Sequence, residues 1–124
     1  MHEASIAQSI IETVLAEAKK QNAKAVDSVE IEIGELTFLG TDQIQFWLEM
    51  GFKSTLAENA EIRFIPVDGV IHCQSCGFEG HIEKKEDPAY HMTTPVFSCS
   101  KCGSASTEIT RGKEAIIRRI HIRR

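Results

Sequence analysis

Residues 73–77 read CQSCG and residues 99–103 read CSKCG. These two Cys-x-x-Cys pairs, each followed by a glycine, decide how the rest of the chain divides. A two-residue gap lets two thiolates reach one ion. A glycine after the second cysteine lets the backbone turn back with a positive φ that other residues adopt under strain. Two such turns supply four soft sulfur ligands, the donor set of a tetrahedral zinc site. The 22 residues between Cys76 and Cys99 can form a β-excursion that brings the turns together. A closed four-thiolate site leaves no position for water or substrate, so zinc at Cys73, Cys76, Cys99 and Cys102 is expected to be structural. Iron held as in rubredoxin, and a pair of redox-active dithiols, are the competing readings of the same residues.

Around the two turns the composition changes. From about residue 70 to 107 apolar residues are too sparse for a core, and a module this small usually needs a metal to fold. The same stretch holds His72, His81 and His91, which read as exposed loop residues or, alternatively, as accessory metal ligands. The run EKKEDP at 83–88 reads as a solvated turn.

Outside that stretch the hydrophobic periodicity is regular. Ile6, Ala7, Ile10, Ile11, Val14, Leu15 and Ala18 recur at three- and four-residue steps, predicting an amphipathic helix from Glu3 to about Gln21. Glu3 near its start and Lys19 and Lys20 near its end suit the helix dipole. Val29, Ile31 and Ile33 alternate with Glu30 and Glu32, predicting a strand buried on one face. A second helix is expected to carry Ile44, Trp47, Leu48 and Phe52, capped by Thr41 or Asp42, with Trp47 and the phenylalanines in the core. AEIRFIPV (60–67) and KEAIIRRIHIRR (113–124) read as two further strands, the last an edge kept soluble by its arginines. His121 is expected on the surface there. Glu30, Glu32 and Glu35 read as a wet sheet face rather than catalytic carboxylates. The expected fold is α+β: two helices on a small, about three-stranded sheet, formed by residues 1–69 plus 108–124, with a zinc ribbon inserted at 70–107.

Charge limits the function classes. The chain has 14 basic and 18 acidic residues, a formal net charge of -4, which argues against a general nucleic-acid binder. Residues 69–110 carry 3 basic and 5 acidic residues, so the ribbon lacks the basic face that a nucleic-acid-binding zinc ribbon would need. The basic residues collect instead at the C-terminal end. No apolar run approaches the ~18–20 residues that span a bilayer, and the start has no basic segment followed by an apolar one, so a cytoplasmic protein without a membrane partner is expected. In such a reducing compartment cysteines serve as metal ligands rather than disulfides. No P-loop, glycine-rich dinucleotide motif or nucleophile with an evident base is present, and no enzyme activity is expected.

The chain opens MHE. A histidine at position 2 can offer an imidazole, nearby backbone amides once deprotonated, and the terminal amine. Nitrogen ligands in a plane favour nickel(II) or copper(II). By itself the dipeptide reads as a disordered histidine rather than a metal site. The whole pattern is more specific: MHE leading into an amphipathic helix, then IEIGELTFLG (31–40), the paired Cys-x-x-Cys-Gly turns, and ITRGKEAIIRRIHI (109–122). This order resembles the HypA/HybF family of nickel metallochaperones for [NiFe]-hydrogenase maturation. The resemblance implies that His2 is a nickel ligand, with main-chain nitrogens around Met1, His2 and Glu3 completing the site. It implies that Glu3 orients that site or contacts a partner, and that the four cysteines hold structural zinc(II) while nickel(II) is transported. The implied partners are a HypB-type GTPase and the [NiFe]-hydrogenase large-subunit precursor, with urease served by some members. A monomer and a homodimer are both compatible with the sequence.

Overall fold

The structure is a computed structural model and describes residues 3–81 and 98–124. Along the chain it places α1 (Glu3–Lys20), β1 (Ala25–Gly34), a 3-10 turn (Glu35–Thr37), α2 (Thr41–Phe52), β2 (Glu61–Val67), β3 (Val70–Cys73), β4 (Glu79–Gly80), β5 (Thr107–Arg111) and β6 (Ala115–Arg123). Among the described residues the strands form two three-stranded sheets, β2-β1-β6 and β4-β3-β5. The described residues fall into two compact units. The first is built from residues up to Ile33, Leu39–Ile65 and Ala115–Arg124, the second from Gly34–Phe38 and residues between Pro66 and Glu114. No described helix is long and apolar enough to cross a membrane.

In the first unit α1 packs against α2 and β6. Ala7, Ile10, Ile11, Val14 and Ala18 of α1 are buried with Val26, Val29, Ile31 and Ile33 of β1 and Ile44, Leu48 and Phe52 of α2. This is the helical stripe and the strand face that the periodicity predicts. Gly51 lets the helices approach, since a Cβ there would lie 2.2 Å from Ile11 Cδ1. β1 pairs antiparallel with β6, setting Val29 opposite Ile120 and Ile31 opposite Ile117. β1 begins four residues before Val29. Asp27 and Ser28 look like turn residues, but a register shift between Val26 and Ser28 lets Asp27 swing out to pair with Arg123 at 2.6 Å. His121 is exposed on β6, as expected.

Three expectations are corrected. The residue capping α2 is Gly40, not Thr41 or Asp42, and it has no side-chain cap of its own. Its N–H donates instead to Glu3 Oε1 at 3.1 Å, so a carboxylate from α1 occupies the positive end of α2. Trp47 and Phe46 are not core residues: they are 46% and 54% exposed, because Ile44, Leu48 and Phe52 already fill the buried face. The glutamates form a wet face only in part. Glu30 is only 15% exposed, between Arg63 at 3.8 Å and Arg119 at 3.6 Å, and Glu32 pairs with Arg118 at 3.9 Å. Glu35 has left the strand for the 3-10 turn, where its carboxylate accepts the Gly69 N–H at 3.2 Å.

The second unit contains a knot of three glycines. A Cβ on Gly34 would lie 2.2 Å from the Gly112 carbonyl oxygen, and one on Gly69 would lie 2.4 Å from Leu36 Cγ. Gly112 itself has φ +80°. The crossing is bonded through Gly34 N–H to Glu114 O at 2.9 Å and Leu36 N–H to Gly112 O at 2.8 Å, with Leu36 buried beneath. Glycine at 34 is therefore required by a backbone-to-backbone approach that no rotamer change can relieve. Outside the first core, the buried apolar residues among those described are Leu36, Ile71, Cys73 and Cys99.

Truncating the buried Leu48 to alanine should lower stability by about 2–5 kcal/mol, whereas Phe46→Ser on the outer face should cost under about 1 kcal/mol. Urea midpoints of the zinc-loaded variants separate the two. Gly34→Ala should cost at least about 1–3 kcal/mol through overpacking, read in the same experiment.

Candidate metal centre

Both cysteine turns are built the same way. In the first, Gly77 N–H bonds Cys73 O at 2.9 Å and Cys73 N–H bonds Phe78 O at 2.7 Å. In the second, Gly103 N–H bonds Cys99 O at 2.8 Å and Cys99 N–H bonds Ser104 O at 2.9 Å. Gly77 and Gly103 have φ of +78° and +77°. A Cβ at either would meet nothing within 4 Å, so these glycines are set by backbone conformation, unlike Gly34, which is set by crowding. β3 ends at Cys73 and delivers the first turn, and β5 pairs beside it with Cys73 opposite Thr107.

The turns bring the four Sγ atoms of Cys73, Cys76, Cys99 and Cys102 within 4.8 Å of one another. Cys73 to Cys102 is 3.6 Å and Cys76 to Cys99 is 3.7 Å. Four sulfurs about 2.3 Å from one tetrahedral ion are separated by about 3.8 Å, so the cluster has the dimensions of a zinc tetrathiolate. Cys73 and Cys99 are buried while Cys76 and Cys102 are exposed. Lys101 and Cys102 each donate a backbone N–H to Cys99 Sγ at 3.4 Å. The Ser75 and Ser104 hydroxyls are 2.9 Å apart and tie one turn to the other. Neither the serine link nor the N–H···S bonds were anticipated; only the doubled turn motif hinted at them.

The backbone bonds prepare the thiols unequally. The backbone amide of Cys102, then that of Lys101, draws the Cys99 thiol down to about 6 against the opposing effect of burial. The Cys76 and Ser75 amides lower Cys73 in the same way. At Cys102 the Ser104 amide pulls downward, but the Cys73 thiol, burial and the thiols of Cys76 and Cys99 outweigh it and push the group up to about 12. Four adjacent thiols cannot all ionise without a cation among them, and a metal ion supplies that charge.

The other expected residues are placed differently. His72 lies on β3, opposite Glu79 of β4 and Glu108 of β5, and His81 Nδ1 is 3.1 Å from the Gly69 carbonyl oxygen. Neither belongs to the four-sulfur cluster. Met1, His2, His91 and the run 83–88 lie outside the described residues. Glu3 is described, and its carboxylate reaches the start of α2 as set out above.

Because ligand thiols must be deprotonated, metal and protons compete. Zinc added to stripped protein at pH 7 should release protons into a weakly buffered solution. Its apparent affinity should fall at least about tenfold between pH 7.5 and 5.5, as the Cys99 thiolate, at about 6 without metal, is protonated. A chelator-competition titration at the two pH values checks this. Gly77→Ala, strained by about 1–3 kcal/mol, should weaken zinc retention in the same competition.

A family model described as "Hydrogenase/urease nickel incorporation, metallochaperone, hypA" matches residues 1–122. The hydrogenase maturation factor HypA of Chlorobium phaeobacteroides is 36% identical over 122 residues, 98% of this chain and 99% of that protein. The factor of the same name from Methanothermobacter thermautotrophicus is also 36% identical over 122 residues, 98% and 97% of the two chains. Among solved structures, the solution structure of the Ni metallochaperone HypA from Helicobacter pylori has a TM-score of 0.67 at 22% identity, covering 99% of this chain and 98% of that one. At that identity the likeness speaks to the fold.

Proposed function

The chain belongs to the HypA family of hydrogenase and urease nickel-incorporation metallochaperones, and from that premise we propose that it carries nickel(II) on its first residues while zinc(II) holds its four-cysteine unit in shape. The observation that carries this reading is a family match running from residue 1 to 122 over a chain that also assembles four sulfurs at zinc-site spacing.

Nickel is cargo in this reading, bound and given up without any bond in a substrate being broken. His2 supplies an imidazole, and main-chain nitrogens near Met1, His2 and Glu3 complete a nitrogen-rich set of the kind nickel(II) prefers. The Glu3 carboxylate is committed to the Gly40 N–H. That supports a role for Glu3 in anchoring the start of α1, so that the donors preceding it leave from a fixed point. The zinc site at Cys73, Cys76, Cys99 and Cys102 has no open position and serves shape, within a ribbon domain at 70–107. His72 and His81, being outside the sulfur cluster, are assigned no zinc. The carrier works in the cytoplasm, with a HypB-type GTPase and the [NiFe]-hydrogenase large-subunit precursor as partners, and urease maturation as a further outlet.

Tag-free, zinc-loaded protein should bind about one nickel per chain, and His2→Ala should lose it while keeping zinc. Equal binding by both would remove the N-terminal site. Nickel binding needs the imidazole unprotonated, and free histidine titrates near pH ~6.5. Nickel should therefore dissociate on acidification from pH 7.5 to 5, followed by equilibrium dialysis.

A further inference from the structure

α2 is apolar on two faces. Ile44, Leu48 and Phe52 point into the core, and Phe46, Trp47 and Met50 point outward, exposed by 54%, 46% and 49%. At about 100° per residue the three outward side chains fall within an arc of roughly 100°, so they form one continuous strip. Two faces of this kind are one more than a surface helix needs to pack on its own domain. Phe46 and Trp47 also meet edge-on, with ring centroids 5.4 Å apart at 74°. Exposed Trp, Phe and Met side chains are the anchors that protein interfaces favour.

Charge narrows the occupant. Asp42 and Glu49 flank the strip on the Phe46 side; α2 itself, Thr41–Phe52, contains no basic residue, and Lys53 just past its end leaves that flank with a net negative charge. A second copy whose α2 lies parallel to this one would set Asp42 and Glu49 against their own copies; an antiparallel second copy, which Lys53 would allow, is the alternative that sedimentation tests. A lipid surface bearing anionic headgroups is disfavoured by the net negative flank.

We propose that the outer face of α2 is the docking site for a partner protein that presents an apolar patch with a basic rim, such as a basic amphipathic helix. Glu3 fastens the start of α1 to the start of α2, and Phe46 lies within two turns of that point. A partner seated there lies beside the segment that leads to His2. Docking would then bring a nickel acceptor to its donor. That last link rests on the nickel-carrier reading; the surface itself does not.

Trp47 is the single tryptophan of the chain, so its emission reports occupancy directly. The probe is an 18-residue leucine–lysine peptide patterned as an amphipathic helix, with a leucine–glutamate twin, added to tag-free, zinc-loaded protein. The lysine peptide should shift Trp47 emission to shorter wavelength saturably, and the glutamate twin should not. Asp42→Asn with Glu49→Gln should weaken the response about tenfold, and Phe46→Ser with Met50→Ser should abolish it while zinc content and nickel stoichiometry stay at wild-type values. No shift, equal shifts from both peptides, or a shift that survives Phe46→Ser with Met50→Ser would overturn the proposal. So would sedimentation showing a wild-type dimer that the same variant dissociates, since the occupant would then be a second copy. In cells lacking their native factor, the Phe46→Ser/Met50→Ser chain should fail to restore nickel-dependent hydrogenase activity that the wild-type chain restores; full activity from the variant overturns docking. Failure of the wild-type chain itself would instead overturn the nickel-carrier reading.

Discussion

Ala25 lies opposite Arg123 and Ile33 opposite Ala115, so the antiparallel pairing of β1 with β6 closes a loop holding the whole segment from Gly34 to Glu114. Closing so long a loop costs conformational entropy before any contact offsets it. The offset comes from apolar pairs along the ladder, such as Val29 with Ile120 and Ile31 with Ile117, and from the helices that cover one face of the sheet. Where the loop departs and returns, the Gly34 N–H bonds Glu114 O. That bond needs the two backbones closer than any side chain at 34 permits. The sequence pays for this crossing with glycines at 34, 69 and 112.

Inside the loop the balance of forces changes. The first unit is held by an ordinary aliphatic core of α1, α2 and β1. The second has few buried apolar groups among its described residues, and two of those are the metal-binding cysteines. Its cohesion therefore depends on the backbone knot and on whatever ion the four sulfurs share. Matching turns, matching positive-φ glycines and N–H···S bonds set the sulfurs at zinc-site spacing, and a metal ion would supply the charge that lets all four ionise. A site closed in this way suits permanence. A carrier also needs a site that exchanges, and the N-terminal nickel site proposed above would meet that opposite requirement.

Glu3 links the architecture to that second requirement. It takes the place of a side-chain cap at Gly40, giving α2 a negative charge at its positive end and giving α1 a fixed start. The same helix α2 then turns an edge-on aromatic pair to solvent. One short element thus packs the core, secures the segment that follows His2 and offers an apolar face outside.

Much of this was legible in the residues. The α1 stripe follows from a 3.6-residue period, the β1 face from a two-residue period, and the zinc set from two cysteine turns whose glycines encode their own φ. These are local patterns, and local stereochemistry is enough to read them. The choice between Trp47 outward and Trp47 buried was not local: it depended on Ile44, Leu48 and Phe52 filling the space beneath α2 first. The same holds for Glu3 as the cap of a helix 37 residues away, for Glu30 between arginines of two other strands, and for Gly34 against Gly112. By itself the sequence determined which segments turn, coil and bind metal. Only the tertiary structure decided which face of α2 meets water and which backbones touch, because those outcomes depend on groups distant in the chain competing for the same volume.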